Sequence, residues 1–363
     1  MIKAYFWSKK WLVWAYGSGA MLLGCLYAQV YMTVLLNRWR RHFFDMFQAI
    51  ETHTINELWA SLWRFTWIAL SYVFFAVLTA YLTRVYSLRW REAMTFEYIP
   101  RWREVREEIE GASQRIQEDT YRFAKIVESL GLQIANALMT LVAFIPILWG
   151  LSHGLSVPII HAVPGSLVWA ALMTSLGGMT ISWFVGIKLP GLEYNNQKVE
   201  AAFRKELVYG EDDKAKFASL STLAELFTGI RMNYHRLFLH YGYFDLWTYA
   251  YSQIMYVVPF LFLGPNVFAG TVTLGVVMQV IDAFSQVHSS FSLFIYNWTT
   301  VTELRSIRQR LREFEANLEI HSPRPRRRAH RGLPSVPKVL SLGKNTPRGS
   351  HISARDIARA LEH

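Results

Sequence analysis

Long apolar segments without Asp, Glu, Lys or Arg recur along this chain and predict membrane helices. About 20 apolar residues in a helix cross the hydrocarbon core of a bilayer. The uncharged segments cover residues 12–36, 65–83, 129–152, 166–187 and 246–281. Within the last of them, Gly264-Pro265-Asn266 is a turn signal that divides the segment. We therefore predict six membrane helices, over about residues 12–36, 65–83, 129–152, 166–187, 244–263 and 270–300.

Two connections between these predicted helices are long, charged and rich in helix-forming residues. They cover residues 89–125 and 189–239, whereas the connections at 153–165 and 264–270 are short and lack Lys and Arg. Because a helix rises about 1.5 Å per residue, the long connections would extend well past a bilayer. We expect an all-α integral membrane protein whose second to fifth spans continue as long cytoplasmic hairpins. This arrangement resembles the membrane domain of ABC exporters.

The distribution of Lys and Arg predicts the orientation in the membrane. Basic residues are concentrated before the first span and in the two long connections. The positive-inside rule then places both termini and both hairpins in the cytoplasm. The segment 37–61 is an exception, because it carries Arg38, Arg40 and Arg41 and yet faces outward. The expected location is the inner membrane of a bacterium, with the chain crossing it several times.

Composition agrees with a membrane protein and marks the C-terminal segment as different. Only 18% of the residues are charged, against about 25% in soluble domains, and 15% are aromatic. Most of the net charge of +11 comes from residues 321–363, which also contain several prolines. We predict a transporter domain over residues 1–315 and a basic, disordered cytoplasmic tail over 316–363, near anionic lipid. No nucleic-acid-binding fold accompanies the tail, and the single Cys25 lies in an apolar segment.

Four motifs carry a resemblance to a known family. They begin at Asn37-Arg38-Trp39 with Phe43-Phe44-Asp45-Met46-Phe47-Gln48, at Glu110 (through Phe123), at Ile187 (through Asp213) and at Asn297 (through Leu304). Together they resemble the SbmA/BacA family of peptide-antibiotic transporters over roughly residues 30–315. The chain departs from that family in lacking extra apolar segments before its first span, and in its C-terminal tail. The resemblance implies a homodimer that imports peptides and uses a ladder of glutamates lining its cavity.

The energy source is the main functional question that the sequence raises. The motif G-x-x-x-x-G-K-[ST] does not occur, and the 61 residues after Thr302 are too few for a nucleotide-binding domain. We therefore expect no ATP hydrolysis by this chain, no enzymatic activity and no cofactor. The His residues show no metal-binding spacing with a third ligand. An ion gradient remains, and carboxylates near the ends of spans are the groups that could carry protons.

The candidate carboxylates are Glu128, at the start of the third span, and a group that follows the fourth. Glu193 and Glu200 are seven residues apart and Glu200 and Glu211 eleven, so helical periodicity places all three on one face. Glu206 points elsewhere and is expected to pair with Arg or Lys. The resemblance implies cavity roles for Glu128, Glu200 and Glu211, whereas Glu193 is added from spacing alone.

Three other acidic residues complete the set of candidates. Asp282 lies inside the sixth predicted span, where an ionisable residue is a functional candidate by default. Glu118 and Asp119 are expected to be helix-surface charges that pair with Arg115 or Arg122.

The sequence favours one function over two alternatives. The first is proton-driven import of peptides, including antimicrobial and modified peptides, by alternating access through a glutamate-lined cavity. The expected partners are a second copy of the chain, peptide substrates, protons and membrane lipids, without nucleic acid. An alternative is the membrane subunit of an ABC transporter whose ATPase is a separate chain. A receptor or scaffold that transports nothing is the third interpretation.

Overall fold

The computed structural model describes residues 1–105, 109, 111–153, 163–213 and 216–320, without the side chains of residues 294–296, 298 and 299. Within these ranges the chain is helical and has no β-strand. The helices are α1 (Ile2–Phe6), α2 (Gly19–Gln48), α3 (Ile55–Glu104), α4 (Ala112–Gln114), α5 (Thr120–Leu151), α6 (Ser166–Gly186), α7 (Leu189–Asp212), α8 (Leu220–Phe268), α9 (Leu274–Tyr296) and α10 (Trp298–Ile320). Turns of π-helix precede α2 and α5, at Trp14–Ser18 and Arg115–Asp119.

Five helical segments of the described ranges are long and apolar enough to cross a membrane. They are Trp14–Gln48, Ile55–Glu104, Ala112–Leu151, Ser166–Asp212 and Leu220–Phe268. Each contains most or all of one of the first five predicted spans. The sixth predicted span corresponds mainly to α9, which is not among the five. Gln279, Asp282 and His288 make its sequence more polar than the others.

The predicted long extensions are present as continuous helices. α3 has 50 residues and α8 has 49, so each is about 75 Å long, which is more than twice the thickness of the hydrocarbon core. α7 follows α6 after a short connection and packs along the first part of α8. The hairpin of α7 and α8 is therefore an extended arm. Its residues 189–212 make their main contacts with α8.

Two predicted helix boundaries differ from the structure. α8 does not end at Leu263, because it continues through Pro265 to Phe268 and the turn follows at Gly270, whose φ is 68°. The carbonyl of Pro265 accepts a bond from Ala269 N–H, so the helix is preserved after the proline. The last predicted span also ends earlier, at Tyr296, and Asn297 separates α9 from α10.

Two cores hold the helices together. One lies among α2, α5, α6, α8 and α9 and includes Phe144, Leu148, Leu263 and Phe284. The other joins the N-terminal segment, α3, α5 and α10.

The second core is built on an apolar stripe along α10. Ile307, Leu311, Phe314 and Leu318 recur at helical spacing and are each at most 2% exposed. Burial of each such side chain contributes roughly 1.5–3 kcal/mol relative to exposure in water. This stripe fixes α10 against α3 and α5, next to the first carboxylate of interest.

Candidate functional site

Glu128 lies where α5 packs against α3, immediately before the uncharged segment 129–152. Its side chain is 6% exposed. Thr83 of α3 hydrogen-bonds to the carboxyl group, while Oε1 is buried and has no hydrogen-bond partner among the described residues. Tyr86 and Trp90 of α3 belong to the core beside it. No ion pair joins Glu128 to a cation of the described residues, so the protonated carboxyl is better suited to this place than the carboxylate.

A row of polar side chains follows Glu128 along α5. The side-chain amide of Gln133 donates to the Ser129 hydroxyl at 3.1 Å. Asn297, at the junction of α9 and α10, donates to Gln133 Oε1 at 3.0 Å. This hydrogen bond links the end of α9 to the beginning of the uncharged part of α5. Sequence reasoning missed Gln133 as a partner, although it is one of the few amides inside a predicted span.

The three glutamates of α7 lie on the extended arm. Glu193 and Glu200 are half-buried, Glu211 is exposed, and the charge of Glu193 acts on the phenol of Tyr241 in α8. Glu206 is held by the backbone N–H of Ala218 at 2.9 Å, where an Arg or Lys partner was expected. Within one chain, α7 packs mainly on α8, whereas Glu128 lies between α3 and α5. The structure of one chain therefore does not gather all the predicted ladder residues into one site.

Asp282 lies at the contact between α2 and α9 and has several partners. Arg40 forms an ion pair with its Oδ1, and Asn37 donates to its Oδ2 at 2.8 Å. Asn37 is fully buried and also donates to the carbonyl of Gln279 at 3.0 Å. This arrangement favours the carboxylate form of Asp282 and attaches α9 to α2. A role of Asp282 in proton coupling stays a prediction.

The first family-like motif attaches α2 to its neighbours. The indole N–H of Trp39 donates to Ser61 of α3 at 2.9 Å. Asp45 accepts from the N–H of Gly275 at 2.9 Å, and Gln48 accepts from the N–H of Leu274 at 2.7 Å. The start of α9 is thus capped by side chains from α2, because the first N–H groups of a helix lack partners within it.

Asp119 is buried, in contrast to the surface position expected from its sequence. Its side chain is 1% exposed and accepts from Arg115 at 2.8 Å. Arg310 of α10 donates to both oxygens, at 2.7 and 3.0 Å. Burial alone would raise the pKa of Asp119, but the hydrogen bonds from Arg310 and Arg115 lower it below its ordinary value. Glu118, by comparison, is half-exposed and pairs with Arg122 as expected.

Comparison with known proteins places this architecture. The model of the SbmA/BacA-like family matches residues 8–319. The chain belongs to the SbmA/BacA-like family. The match covers the helices α2–α9, nearly all of α10 and every candidate carboxylate discussed above.

Curated relatives of this SbmA/BacA-like chain are longer proteins. It is 29% identical over 317 residues to "Inner membrane ABC transporter ATP-binding protein YddA" of Escherichia coli K12, covering 81% of this chain and 55% of that protein. It is 26% identical over 260 residues to "ABC transporter D family member 2, chloroplastic" of Arabidopsis thaliana, covering 68% and 35%. A Synechocystis "uncharacterized ABC transporter ATP-binding protein" is 22% identical over 381 residues, covering 97% and 55%. The chain spans about half the length of these relatives or less, and it is a membrane transporter by family.

Proposed function

We propose that this chain forms a homodimeric importer of peptides in a bacterial inner membrane, driven by the proton gradient. Its substrates would include antimicrobial and modified peptides, and transport would proceed by alternating access. α9 would be the sixth span, and both termini and the arm of α7 and α8 would lie in the cytoplasm. The observation that carries this proposal is Glu128, a carboxyl group with a buried oxygen and no cationic partner at the edge of a span.

The physical reason concerns the two forms of the carboxyl group. A buried carboxylate without a cation is costly, whereas the protonated form is neutral. When the surroundings open to water, the cost of ionisation falls and the proton can leave. A group that gains and loses a proton with solvent access is what a proton-coupled carrier needs.

A second copy of the chain is part of the proposal because one copy leaves the candidate ladder dispersed. Glu193 and Glu200 lie on an arm that packs mainly on α8, away from Glu128. The arm also exposes large apolar side chains such as Tyr194, Leu220 and Phe227. A dimer in which each arm crosses to its partner would cover this surface. It would also bring the α7 glutamates to a shared cavity, whose negative charge would favour cationic peptides.

An ATP-driven transporter is the second candidate, and the names of the relatives favour it. Three of those relatives are called ABC transporters, two of them ATP-binding proteins, and this chain matches only part of each. The chain would then be the membrane portion of a system that uses ATP. Peptide import and ATP use are compatible in this reading, so the energy source is the point to test.

Uptake by purified protein in liposomes separates the two candidates. A labelled cationic peptide is added outside, with an imposed pH gradient and no nucleotide. We expect uptake that a protonophore abolishes, and we expect Glu128→Gln, which cannot be ionised, to reduce it at least tenfold. Glu118→Gln is the matched control, since Glu118 is a half-exposed, ion-paired glutamate of the same helical segment. Uptake that needs ATP and persists with the protonophore would contradict the proposal.

A further inference from the structure

The imidazole of His288 lies where α6, α8 and α9 meet. Its Nδ1 is 3.3 Å from the Ser175 hydroxyl of α6 and 3.4 Å from the Tyr251 hydroxyl of α8. Its Nε2 is 3.4 Å from the hydroxyl of Ser292, one turn further along α9. We call His288, Ser175, Tyr251 and Ser292 the polar node. The node brings a titratable ring into contact with hydroxyl groups from three helices.

The hydrogen bonds of Tyr251 indicate which imidazole nitrogen carries the proton. The Tyr251 hydroxyl donates to the Thr174 carbonyl at 2.9 Å, so it offers a lone pair to His288. Nδ1 must then be the donor, which leaves the lone pair of the neutral ring on Nε2. The Ser292 hydroxyl can donate to the carbonyl of His288 at 3.1 Å and accept from a protonated Nε2. The node can therefore accept one further proton while its present hydrogen bonds remain.

The surroundings of the node provide no counter-charge. Ser175 and Tyr251 lie in segments 166–187 and 246–281, which contain no Asp, Glu, Lys or Arg. The uncharged segments of α5 and α2, residues 129–152 and 19–36, have none either, and no His. Asp282 lies nearer the start of α9 and is paired with Arg40. The one titratable group that faces His288 in the contacts described is Tyr251, whose ordinary pKa is near 10.

The node is packed tightly on the α6 side. A Cβ added at Gly178 would lie 1.9 Å from the Tyr251 ring, so only glycine leaves room for it. Trp247 stacks on Tyr251 with ring centroids 5.4 Å apart and donates to the Ser182 hydroxyl at 2.8 Å. Tyr251 is thus fixed to α6 from two directions. A change at His288 would therefore be felt by α6 and α8 together.

We propose that His288 is a proton-binding site of this chain, distinct from the carboxylates, and that its protonation loosens the contact of α9 with α6 and α8. The added proton binds the lone pair of Nε2 and makes the ring a cation. A cation between hydroxyl groups without a counter-charge is unfavourable at low dielectric, and water entering between the helices lowers that cost. An ionisable side chain within a membrane bundle marks a functional position by default.

The first test detects the proton directly and does not depend on transport. Protein labelled with ¹⁵N-histidine is reconstituted in lipid nanodiscs, and imidazole signals are recorded at different pH values. The signal that is absent from His288→Gln belongs to His288. We expect it to change from the neutral to the protonated pattern between about pH 8 and pH 5. A signal that stays neutral down to about pH 4.5 would overturn the proposal.

The second test measures the helix contact. Spin labels on exposed positions of α6 and α9, such as Met173 and Gln286, report the distance between the two helices. Acidification should lengthen this distance in the otherwise unchanged protein and have no effect in His288→Gln. His235→Gln, which removes an exposed histidine of α8, is the control and should behave like the parent protein. A distance that does not respond to pH, or responds equally in all variants, would refute the loosening.

The inference rests on the proposed function only where it concerns uptake. If transport is proton-driven, His288→Gln should flatten the pH dependence of uptake, whereas His235→Gln should preserve it. Equal pH dependence in both variants would exclude His288 from the transport cycle. A chain that imports nothing but shows the titration and the distance change would contradict the proposed function and leave this inference intact.

Discussion

Replacement of Asp119 by Asn should detach α10 from α5 at a cost that can be calculated from the structure. Asp119 is 1% exposed and is bound by two arginines, of which Arg310 binds both of its oxygens. Loss of one partner of a buried ion pair costs about 3–5 kcal/mol. Arg115 and Arg310 are 24% and 33% exposed, so water can partly replace the lost carboxylate. We therefore expect Asp119→Asn to lower the free energy of unfolding by about 2–3 kcal/mol.

The control for this prediction is its neighbour. Glu118 and its partner Arg122 are 42% and 50% exposed, and exposed ion pairs contribute about 0–1 kcal/mol. Equilibrium unfolding in mixed micelles with increasing SDS, followed by tryptophan fluorescence, compares Asp119→Asn with Glu118→Gln. Equal unfolding free energies for the two variants would refute the reasoning, because they would show that the burial of Asp119 has no energetic consequence.

The same pair predicts a dependence on pH. Because the arginines lower the pKa of Asp119 in the folded chain, its carboxylate stabilises the fold above the unfolded value of about 3.9. This stabilisation is lost as the pH falls through the lower folded value. The stability difference between the parent protein and Asp119→Asn should therefore be constant near neutral pH and shrink below about pH 4. A difference that grows on acidification would contradict the assignment.

Two further predictions concern glycine packing and helix capping. Gly178→Ala should destabilise the fold by about 1–3 kcal/mol, because its new methyl group meets Tyr251, whereas a Cβ at Gly177 meets nothing within 4 Å; equal melting temperatures for the two alanine variants would contradict this. Asp45→Ala should lower stability by about 1 kcal/mol, because the N–H of Gly275 loses its acceptor, and Asp45→Asn should keep most of it. Thermal unfolding in detergent measures both, and an Asn variant as unstable as the Ala variant would exclude capping.

The sequence predicted the helical spans well because membrane helices are defined by local composition. Uncharged segments such as 65–83 and 166–187 indicate a span without any knowledge of neighbouring helices, since the bilayer itself is the solvent. α9 was harder to predict in detail. Its polar residues make sense only through partners elsewhere in the chain: Asp282 through Arg40 and Asn37, and His288 through Ser175.

The site depended still more on contacts between distant parts of the chain. Periodicity placed Asp119 near Arg115, one helical turn away, but gave no sign of Arg310 on α10, which buries it. Glu128 was identified at the start of a span, whereas its burial comes from the core that α3 contributes. The spacing of Glu193, Glu200 and Glu211 predicted a shared helical face. It could not predict that this face belongs to an arm remote from Glu128 in one chain.

Proton movement coupled to peptide uptake tests the central claim most directly. Liposomes containing the purified protein and a pH-sensitive dye inside are given a cationic peptide, at equal pH on both sides, with an inward-negative membrane potential and no nucleotide. The account predicts that the peptide acidifies the interior, and that Glu128→Gln removes this signal while Glu118→Gln retains it. Peptide accumulation without any change of internal pH would contradict the account.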